Sequence, residues 1–379
     1  MRSVPDYPEY KTARPPGVAR WLSATAMLVL LSGGAVGLMP IAQGKSTLVA
    51  AGILVALLLA GTGWLARLLY YRVSVHNAAF YYQLVAYEQQ QWWAQHRQPF
   101  WLKEGLLLGP AGTCSVDWLR VLNREQRPPE EKKEGANSVL RLPQISATDP
   151  IAREKWLAEL LVIEWQKQRS EKKLTSPLRC YWQGADITWQ AFRAQMAIAF
   201  PEVALPVRPE SWQGEVSLAE IASDLAKAKP DDTMLIAGCQ VIAGRPGTTH
   251  PAGESAALWL AGRNGPVQLT RGETFSSEKG DALLTVFARA LEQSELKDPP
   301  DACTLFSRPD IKALAGSGWD ISQHLQDANW GDIGDMDALI VLSLAAIYAA
   351  HHQQPCGWIA HDPMNTLATG IVKPDGQRQ

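Results

Sequence analysis

The stretch THPAGESAALWLAG, residues 249–262, decides how this chain is interpreted. Gly253 precedes small residues that lead into an apolar segment, which is typical of a strand buried on both faces of a sheet. Upstream, residues 217–228 carry apolar positions at helical spacing, and residues 233–238 form a short apolar strand. Strands that alternate with helices in this way predict an α/β domain.

The length and the net charge of the chain limit the number of domains and the kinds of partner that it can have. The chain has 379 residues, enough for one large domain or two modest ones with a packed core. Its formal net charge is −2, so no global basic field would recruit nucleic acid, and we expect no nucleic-acid partner. Fifteen tryptophans are present, and they fit either buried core anchors or a surface that binds a partner.

Two uncharged apolar runs follow an N-terminal tail of residues 1–18. They cover residues 21–42 and 46–66, and each is long enough to cross the ~30 Å hydrocarbon core of a bilayer. Only residues 43–45 separate them, which predicts a transmembrane hairpin within residues 19–70. A second full-length run directly after the first argues against a cleaved signal peptide.

The flanking charges predict the orientation of this hairpin. Lysine and arginine are concentrated before residue 21 and after residue 66, whereas the turn carries Lys45 alone. The positive-inside rule then places both termini in the cytoplasm, with the hairpin in the inner membrane. The five cysteines are scattered and odd in number, which is typical of reduced cytosolic thiols. The cytosolic domain divides into a first half, residues 75–265, and a second half, residues 266–379.

The order of these segments is similar to that of the β-ketoacyl synthases, which have a thiolase-like fold. Gly253-Glu254-Ser255-Ala256-Ala257 stands where that family has a core motif of the form GEGAAALVL. At the C-terminal end, Gly334-Asp335 leads into a long apolar helix, and Gln354-Pro355 precedes a strand, a turn and a last strand, as ketosynthases end. The resemblance covers residues 206–379 by motif and residues 100–205 by element order.

For chemistry, this resemblance implies a loss of the ketosynthase site. The family needs a thiolate at the N-terminus of the helix that begins here near Ser217, yet no cysteine lies between Cys180 and Cys239. We expect Ser217 to be the N-cap of that helix, with Glu220 completing a capping box. Asp335 stands where the family has a histidine. The chain is therefore predicted to be a non-catalytic pseudoenzyme without a cofactor. The degenerate cleft is expected to hold Ser217, Gly253, Glu254 and Asp335, and Gly253 is expected to allow a close backbone approach.

Two groups of residues suggest metal ligands but are better explained by helix ends. Acidic side chains ahead of a helix favour its N-terminal dipole, and histidines in a last turn favour the C-terminal dipole. We therefore predict no metal site. The residues concerned are Asp332, Asp335 and Asp337, and His351, His352 and His361.

A membrane segment followed by a Trp-rich α/β region with a ketosynthase-like core resembles the adaptor proteins that accompany lipase effectors of bacterial type VI secretion systems. That resemblance implies a membrane-tethered chaperone that binds one lipase-type toxin and delivers it to the secretion spike. The expected partner-binding anchors are tryptophans, which are favoured at interface hot spots. They are Trp92, Trp93, Trp212, Trp319 and Trp330.

Two other functions remain open at this point. One is a ketosynthase-like acyltransferase that acts on acyl thioesters at the membrane, with Cys239 or Ser217 as its nucleophile. The other is a structural inner-membrane component of a secretion complex. Turnover of a thioester by the purified chain distinguishes the first from the adaptor, and co-purification with envelope proteins distinguishes the second.

Overall fold

A computed structural model of the chain describes residues 5–37, 45–169, 174–307, 314 and 316–376. The chain divides into two compact units, Arg2–Trp92 and Trp93–Gln379. The predicted division of the second unit near residue 265 stays a prediction.

The first unit contains two apolar helices, α1 (Val18–Gly37) and α2 (Lys45–His96), and the last residues of α2 belong to the second unit. Val18–Ala35 and the helix Ser46–His96 are long and apolar enough to cross a membrane by length and composition. Residues 38–44, which include the predicted turn, lie outside the described part of the chain. Helix α2 is continuous from Lys45 to His96, so it extends well beyond the apolar run of residues 46–66.

The second unit is built on one large sheet of eleven strands. The pairing order is β11-β10-β12-β13-β8-β1-β7-β6-β4-β5, and β9 pairs with β13. The outer pairs β4/β6 and β10/β12 are parallel, whereas the central pairs β6/β7, β7/β1 and β1/β8 are antiparallel. The strands are β1 (Pro99–Leu108), β4 (Cys180–Gln183), β5 (Glu210–Ser211), β6 (Met234–Val241), β7 (Glu254–Gly262), β8 (Val267–Thr270), β9 (Glu273–Phe275), β10 (Ala302–Leu305), β11 (His324–Leu325), β12 (Cys356–Asp362) and β13 (Asn365–Pro374).

The strand β7 lies between β1 and β6, and all nine of its residues are buried. Because side chains alternate across a strand, Leu258 and Leu260 face one hydrophobic cluster, while Ala257 and Trp259 face another. Two-sided burial explains why this segment is apolar at every position after Ser255. The prediction of a buried strand here is confirmed.

Helices cover both faces of the sheet, so the second unit has three layers with a hydrophobic core on each side of the sheet. Helices α4 and α5 pack against each other, and α4 packs on β1, β6 and β7. On the opposite face, α6 and α9 share one cluster with Trp259, and α9 also packs on β10, β12 and β13. The helices are α3 (Ser115–Leu122), α4 (Pro150–Gln168), α5 (Asp186–Ala199), α6 (Glu215–Lys227), α7 (Leu283–Gln293), α8 (Asp327–Trp330) and α9 (Asp337–His352).

Helix α9 meets the length and hydropathy of a membrane span, as part of the segment Gly334–His352, but most of that segment is buried within the protein. Its residues from Ala338 to Ala346 are buried on every side, because α9 lies between the sheet and α3. Apolarity all round is therefore explained by its central position in the core.

Two short hairpins lie outside the helices. One consists of β2 (Lys132–Glu134) and β3 (Asn137–Val139). The C-terminal hairpin is confirmed, because β12 and β13 pair with Asp362 opposite Asn365 across the predicted turn.

Candidate functional site

A cavity of about 520 Å³ opens in the second unit where the loop before β7, the end of β10, the segment before α9 and the end of β12 meet. This volume is that of a small-molecule site. Among its described lining residues there are three aspartates and two histidines, but no lysine or arginine. The lining residues are Gly247, Thr248, Thr249, His250, Phe306, Ser307, Asp327, Gly331, Asp332, Ile333, Gly334, Asp337 and His361.

Near the cavity, the backbone that precedes β7 lies very close to the backbone that precedes α9. A Cβ on Gly253 would lie 2.0 Å from the carbonyl oxygen of Trp330, so only glycine fits there. The Gly253 amide donates to the Asp332 carbonyl at 2.7 Å, and the Asp332 amide donates to Pro251 at 2.8 Å. The expected role of Gly253 in close packing is confirmed, and its effect is to hold Asp332 at the cavity wall.

A hydroxyl and a carboxylate are paired on the cavity wall. The Ser307 hydroxyl donates to Asp327 Oδ2 at 2.8 Å, and the Ser307 amide donates to the same oxygen at 2.9 Å. On the other side of this carboxylate, His250 Nε2 lies 3.7 Å from Asp327 Oδ1. Ser307 follows the last residues of β10, and Asp327 begins α8, so two separate segments build the pair.

A second carboxylate supports the opposite wall. The His361 amide donates to Asp337 Oδ2 at 3.2 Å, which joins the end of β12 to the first turn of α9. Asp332 accepts from the Gly334 amide at 3.0 Å within the turn that precedes α9. These bonds explain two of the aspartates near the start of α9, since Asp332 and Asp337 each accept from a backbone amide.

The N-terminus of α6, where the ketosynthase resemblance places a thiolate, is filled by a carboxylate. Asp362 is buried and accepts from the Glu215 amide at 3.1 Å. The N-cap is Gly214, with φ 59°, and a Cβ there would lie 2.6 Å from Asp362 Oδ2. A negative group at this helix end is favoured by the helix dipole. No side chain that could attack a substrate fits at Gly214.

The predicted capping box at Ser217 is wrong. Ser217 lies inside α6 and is buried, and its hydroxyl accepts from the Gln213 amide at 2.8 Å. Glu220 does not reach back to the helix start; its carboxylate accepts from the Tyr181 hydroxyl at 3.1 Å. The N-cap is Gly214, three residues earlier than the pattern predicted, because Gly214 supplies the left-handed conformation and Asp362 supplies the cap from the end of β12.

The cysteines do not provide a nucleophile at this cavity. Cys239 and Cys356 are fully buried, and burial raises the pKa of each thiol well above its ordinary value. Burial also raises the pKa of Cys180 to about 12. Since the thiolate is the reactive form, burial disfavours Cys239 as a nucleophile. Cys114, at the start of α3, is partly exposed and lies outside the lining.

Two further residues predicted for the cleft lie elsewhere. Glu254 is fully buried and makes an ion pair with Arg153 on α4, so its carboxylate anchors that helix to the sheet. Asp335 is exposed, and its amide donates to the Gln240 side chain at 2.9 Å. None of Ser217, Gly253, Glu254 and Asp335 lines the cavity. The sequence analysis did not select Ser307 or Asp327, because no local pattern links the two residues.

Three of the five predicted partner-binding tryptophans are core residues. Trp212, Trp319 and Trp330 are buried, so they present no surface to a partner. Trp92 and Trp93 are half-buried. Trp156, which the sequence analysis did not select, is 58% exposed. The identity of a residue as tryptophan does not tell whether its ring is buried or exposed. Burial depends on packing partners, and these come from distant segments of the chain.

Of the residues considered as metal ligands, Asp332, Asp337 and His361 line the cavity, whereas His352 lies elsewhere. His352 lies 3.2 Å from the Asn123 side chain, and its ring also packs against Tyr348. Within the described ranges, no group of three or more histidine, cysteine, aspartate or glutamate side chains is arranged to hold a metal ion.

Comparisons with known proteins identify the fold. No protein-family model matches the chain, and no curated protein matches it. Among solved structures, the chain is similar to one described as the ishigamide ketosynthase/chain length factor, with a TM-score of 0.52, 14% identity, and coverage of 74% of this chain and 100% of that one. A ketosynthase from module 6 of the bacillaene synthase of Bacillus subtilis 168 has a TM-score of 0.48 and 10% identity, covering 74% of this chain and 71% of that one. An HMG-CoA synthase complexed with CoA has a TM-score of 0.45 and 12% identity, covering 73% and 82%.

The second unit therefore has a mixed α/β, thiolase- and ketosynthase-like fold. The prediction of a non-catalytic chain is corrected, because the structure that shares this fold at a TM-score of 0.52 is described as a ketosynthase/chain length factor. The type VI secretion adaptor family has no support among these comparisons.

Proposed function

We propose that the second unit is an enzyme of the acyltransferase class, which takes an acyl group from a thioester onto Ser307. The observation that carries the proposal is the 2.8 Å hydrogen bond from the Ser307 hydroxyl to Asp327 within the cavity. It pairs a nucleophile with a carboxylate base, which is the arrangement that covalent catalysis requires. The earlier candidates Cys239 and Ser217 are replaced, since both are buried outside the cavity.

In the proposed reaction, Ser307 Oγ attacks the carbonyl carbon of the thioester while Asp327 accepts the hydroxyl proton. The carbon–sulfur bond breaks as Asp327 passes that proton to the leaving sulfur, so that an acyl-serine ester and a free thiol result. An acceptor hydroxyl, amine or water then attacks the ester and gives its proton to Asp327, which returns it to Ser307 Oγ as the ester bond breaks. A carboxylate is a weaker base than an imidazole, so a slow enzyme is expected.

The charge of the cavity selects the part of the substrate that enters. Asp327, Asp332 and Asp337 lie on its walls without a lysine or arginine among the described lining residues. Phosphate groups would be repelled there, whereas an uncharged acyl chain and its thioester would not. A neutral N-acetylcysteamine thioester is therefore the appropriate probe, with a coenzyme A thioester as the comparison.

The test is turnover of that neutral thioester by the purified full chain in detergent. Ser307→Ala should abolish the acyl adduct seen by mass spectrometry of the intact protein, and Asp327→Asn should slow turnover on the order of 10²-fold. Ser322→Ala is the matched control, since Ser322 also donates to an aspartate, Asp320, but lies outside the cavity lining. Equal turnover by the Ser307→Ala and Ser322→Ala variants would reject the proposal.

We also propose that this chemistry takes place at a membrane, because α1 and α2 are long and apolar enough to anchor the chain. Binding of a secretion effector and of a spike protein stays a prediction of the sequence resemblance. Co-purification of a toxin with the full chain from the native cell would support it, and recovery of envelope proteins alone would support the structural role instead.

A further inference from the structure

The first residues of α1 and the end of the apolar run in α2 lie side by side. A Cβ on Gly63 would lie 3.2 Å from the Trp21 ring, and Trp21 begins one apolar run while Gly63 is close to the end of the other. Trp21, Trp64 and Tyr70 stand at these ends, as tryptophan and tyrosine do at the level of lipid headgroups. With both runs in a bilayer, as proposed above, this end of the first unit lies among the headgroups.

Three arginines come together at this end of the first unit. Arg67 donates from Nη2 to the Arg14 carbonyl at 3.1 Å, and its Cζ lies 5.3 Å from the centre of the Tyr70 ring. The Arg20 side chain lies against Gly17, where a Cβ would be 3.9 Å from Arg20 Cδ. Gly17 is close to Arg14 in the chain, so the three arginines lie in one region. We call Arg14, Arg20 and Arg67 the arginine cluster.

The arginine cluster has no carboxylate partner in the described part of the first unit. Residues 10–87 contain no aspartate or glutamate, and Asp6 and Glu9 in the tail are exposed. The ion pairs of the described residues all lie beyond residue 96. Neighbouring positive groups repel each other unless an anion lies between them, so the cluster favours a negatively charged ligand.

The chemistry of this ligand follows from the guanidinium groups and from the side chains beside them. Guanidinium groups form paired hydrogen bonds to phosphate oxygens. Close to Arg67 in the chain, Leu65 and Leu69 on α2 are 52% and 61% exposed, and Leu22 on α1 is 65% exposed. A free phosphate leaves these apolar side chains in water, whereas the acyl chains of a lipid cover them. A phospholipid therefore fits this end of the unit better than a free phosphate does.

We propose that the arginine cluster binds the headgroup phosphate of an anionic phospholipid, so that acidic lipid collects around the two apolar helices. The proposal rests on the membrane location proposed above and not on the thioester chemistry. Each lysine or arginine near an anionic lipid surface favours binding by about fivefold. A zwitterionic lipid carries the same phosphate, but its ammonium group opposes binding to the cluster. The cluster therefore selects lipids by net charge.

Native mass spectrometry of the full chain in detergent tests this selection, with phosphatidylglycerol and phosphatidylcholine of identical acyl chains as the lipids. The unaltered chain should retain phosphatidylglycerol in preference. The double variant Arg14→Gln/Arg67→Gln should lower that preference by about tenfold or more. The matched control Lys11→Gln/Arg72→Gln removes the same charge at two exposed positions outside the cluster. It should lower the preference by less than about threefold, because salt screens attraction from a distance.

A second variant separates lost charge from a damaged fold. Arg14→Lys/Arg67→Lys keeps the charge and should keep most of the preference, and excess inorganic phosphate should not displace the lipid. Four results would each overturn the proposal: loss of the preference in the lysine variant, displacement by phosphate, equal effects of the two glutamine pairs, or equal retention of both lipids by the unaltered chain. Recovery of the full chain from the soluble fraction of cells would instead reject the membrane location, and thioester turnover remains a separate test.

Discussion

At the scale of single residues, the core depends on rings whose partners are far away in the chain. Trp330 is fully buried and stacks on Trp118, with ring centroids 4.6 Å apart and an angle of 13° between the rings. The Trp118 indole also donates to the Leu107 carbonyl at 3.1 Å. Trp330 belongs to a segment that lines the cavity, and its stacking on Trp118 attaches that segment to α3 and β1.

Removal of this ring should be costly. We expect Trp330→Ala to lower the free energy of unfolding by about 3–5 kcal/mol, because it leaves a large cavity between packed elements. Denaturant titration of the detergent-solubilised chain measures this change. Trp156→Ala is the control, since that ring is 58% exposed and its removal should cost below about 1 kcal/mol. Similar losses in the two variants would contradict the burial described for Trp330.

At the scale of elements, a buried ion pair attaches α7 to the sheet. Glu273 on β9 is fully buried, and its carboxylate accepts from Arg289 on α7 at 3.1 Å. Burial raises the pKa of Glu273 to about 7, although Arg289 and Arg271 oppose the shift and Glu215 adds to it. Burial also raises the pKa of Glu215, which pairs with Arg271.

This raised pKa predicts a pH dependence of stability. The folded state binds the Glu273 proton more tightly than the unfolded state, whose pKa is near 4.5. The stabilising contribution is therefore complete below pH 4.5 and is lost as the pH rises through about 7. Relative to Glu273→Gln, the unaltered chain should lose on the order of 3 kcal/mol over that window, as measured by denaturation at pH 4.5 and pH 8. A pH-independent difference between the two chains would disprove this linkage.

The α6 terminus shows how one element is completed by another. Asp362 comes from the turn between the last two strands, yet it caps a helix that begins 147 residues earlier. A local capping rule looks only within four residues of the helix start, so it selected Ser217 and missed Asp362.

At the scale of the whole molecule, the two apolar runs and their flanking charges predict a defined membrane topology. Single cysteines at Gln43 and at Gly376 should behave oppositely toward a membrane-impermeant maleimide added to intact cells. Gln43→Cys should be labelled from outside, and Gly376→Cys only after lysis, because the positive-inside rule places both termini in the cytoplasm. Labelling of Gly376→Cys in intact cells would invert the predicted orientation.

The sequence by itself determined the elements whose signal is local. The apolar runs of α1 and α2, the buried strand β7 and the small residue at Gly253 were predicted, because length, apolar period and the absence of a side chain are properties of a short segment. Even α9, apolar all round, was predicted as a helix, although its segment alone does not distinguish a membrane span from a core helix.

Only the tertiary structure decided which residues meet. His250, Ser307, Asp327 and His361 come from four segments up to 111 positions apart, and no periodicity links them. The same holds for the tryptophans, since Trp330 is buried and Trp156 exposed with identical side chains. Burial and proximity depend on long-range packing, which brings distant segments together through a sheet whose neighbouring strands are not neighbours in sequence.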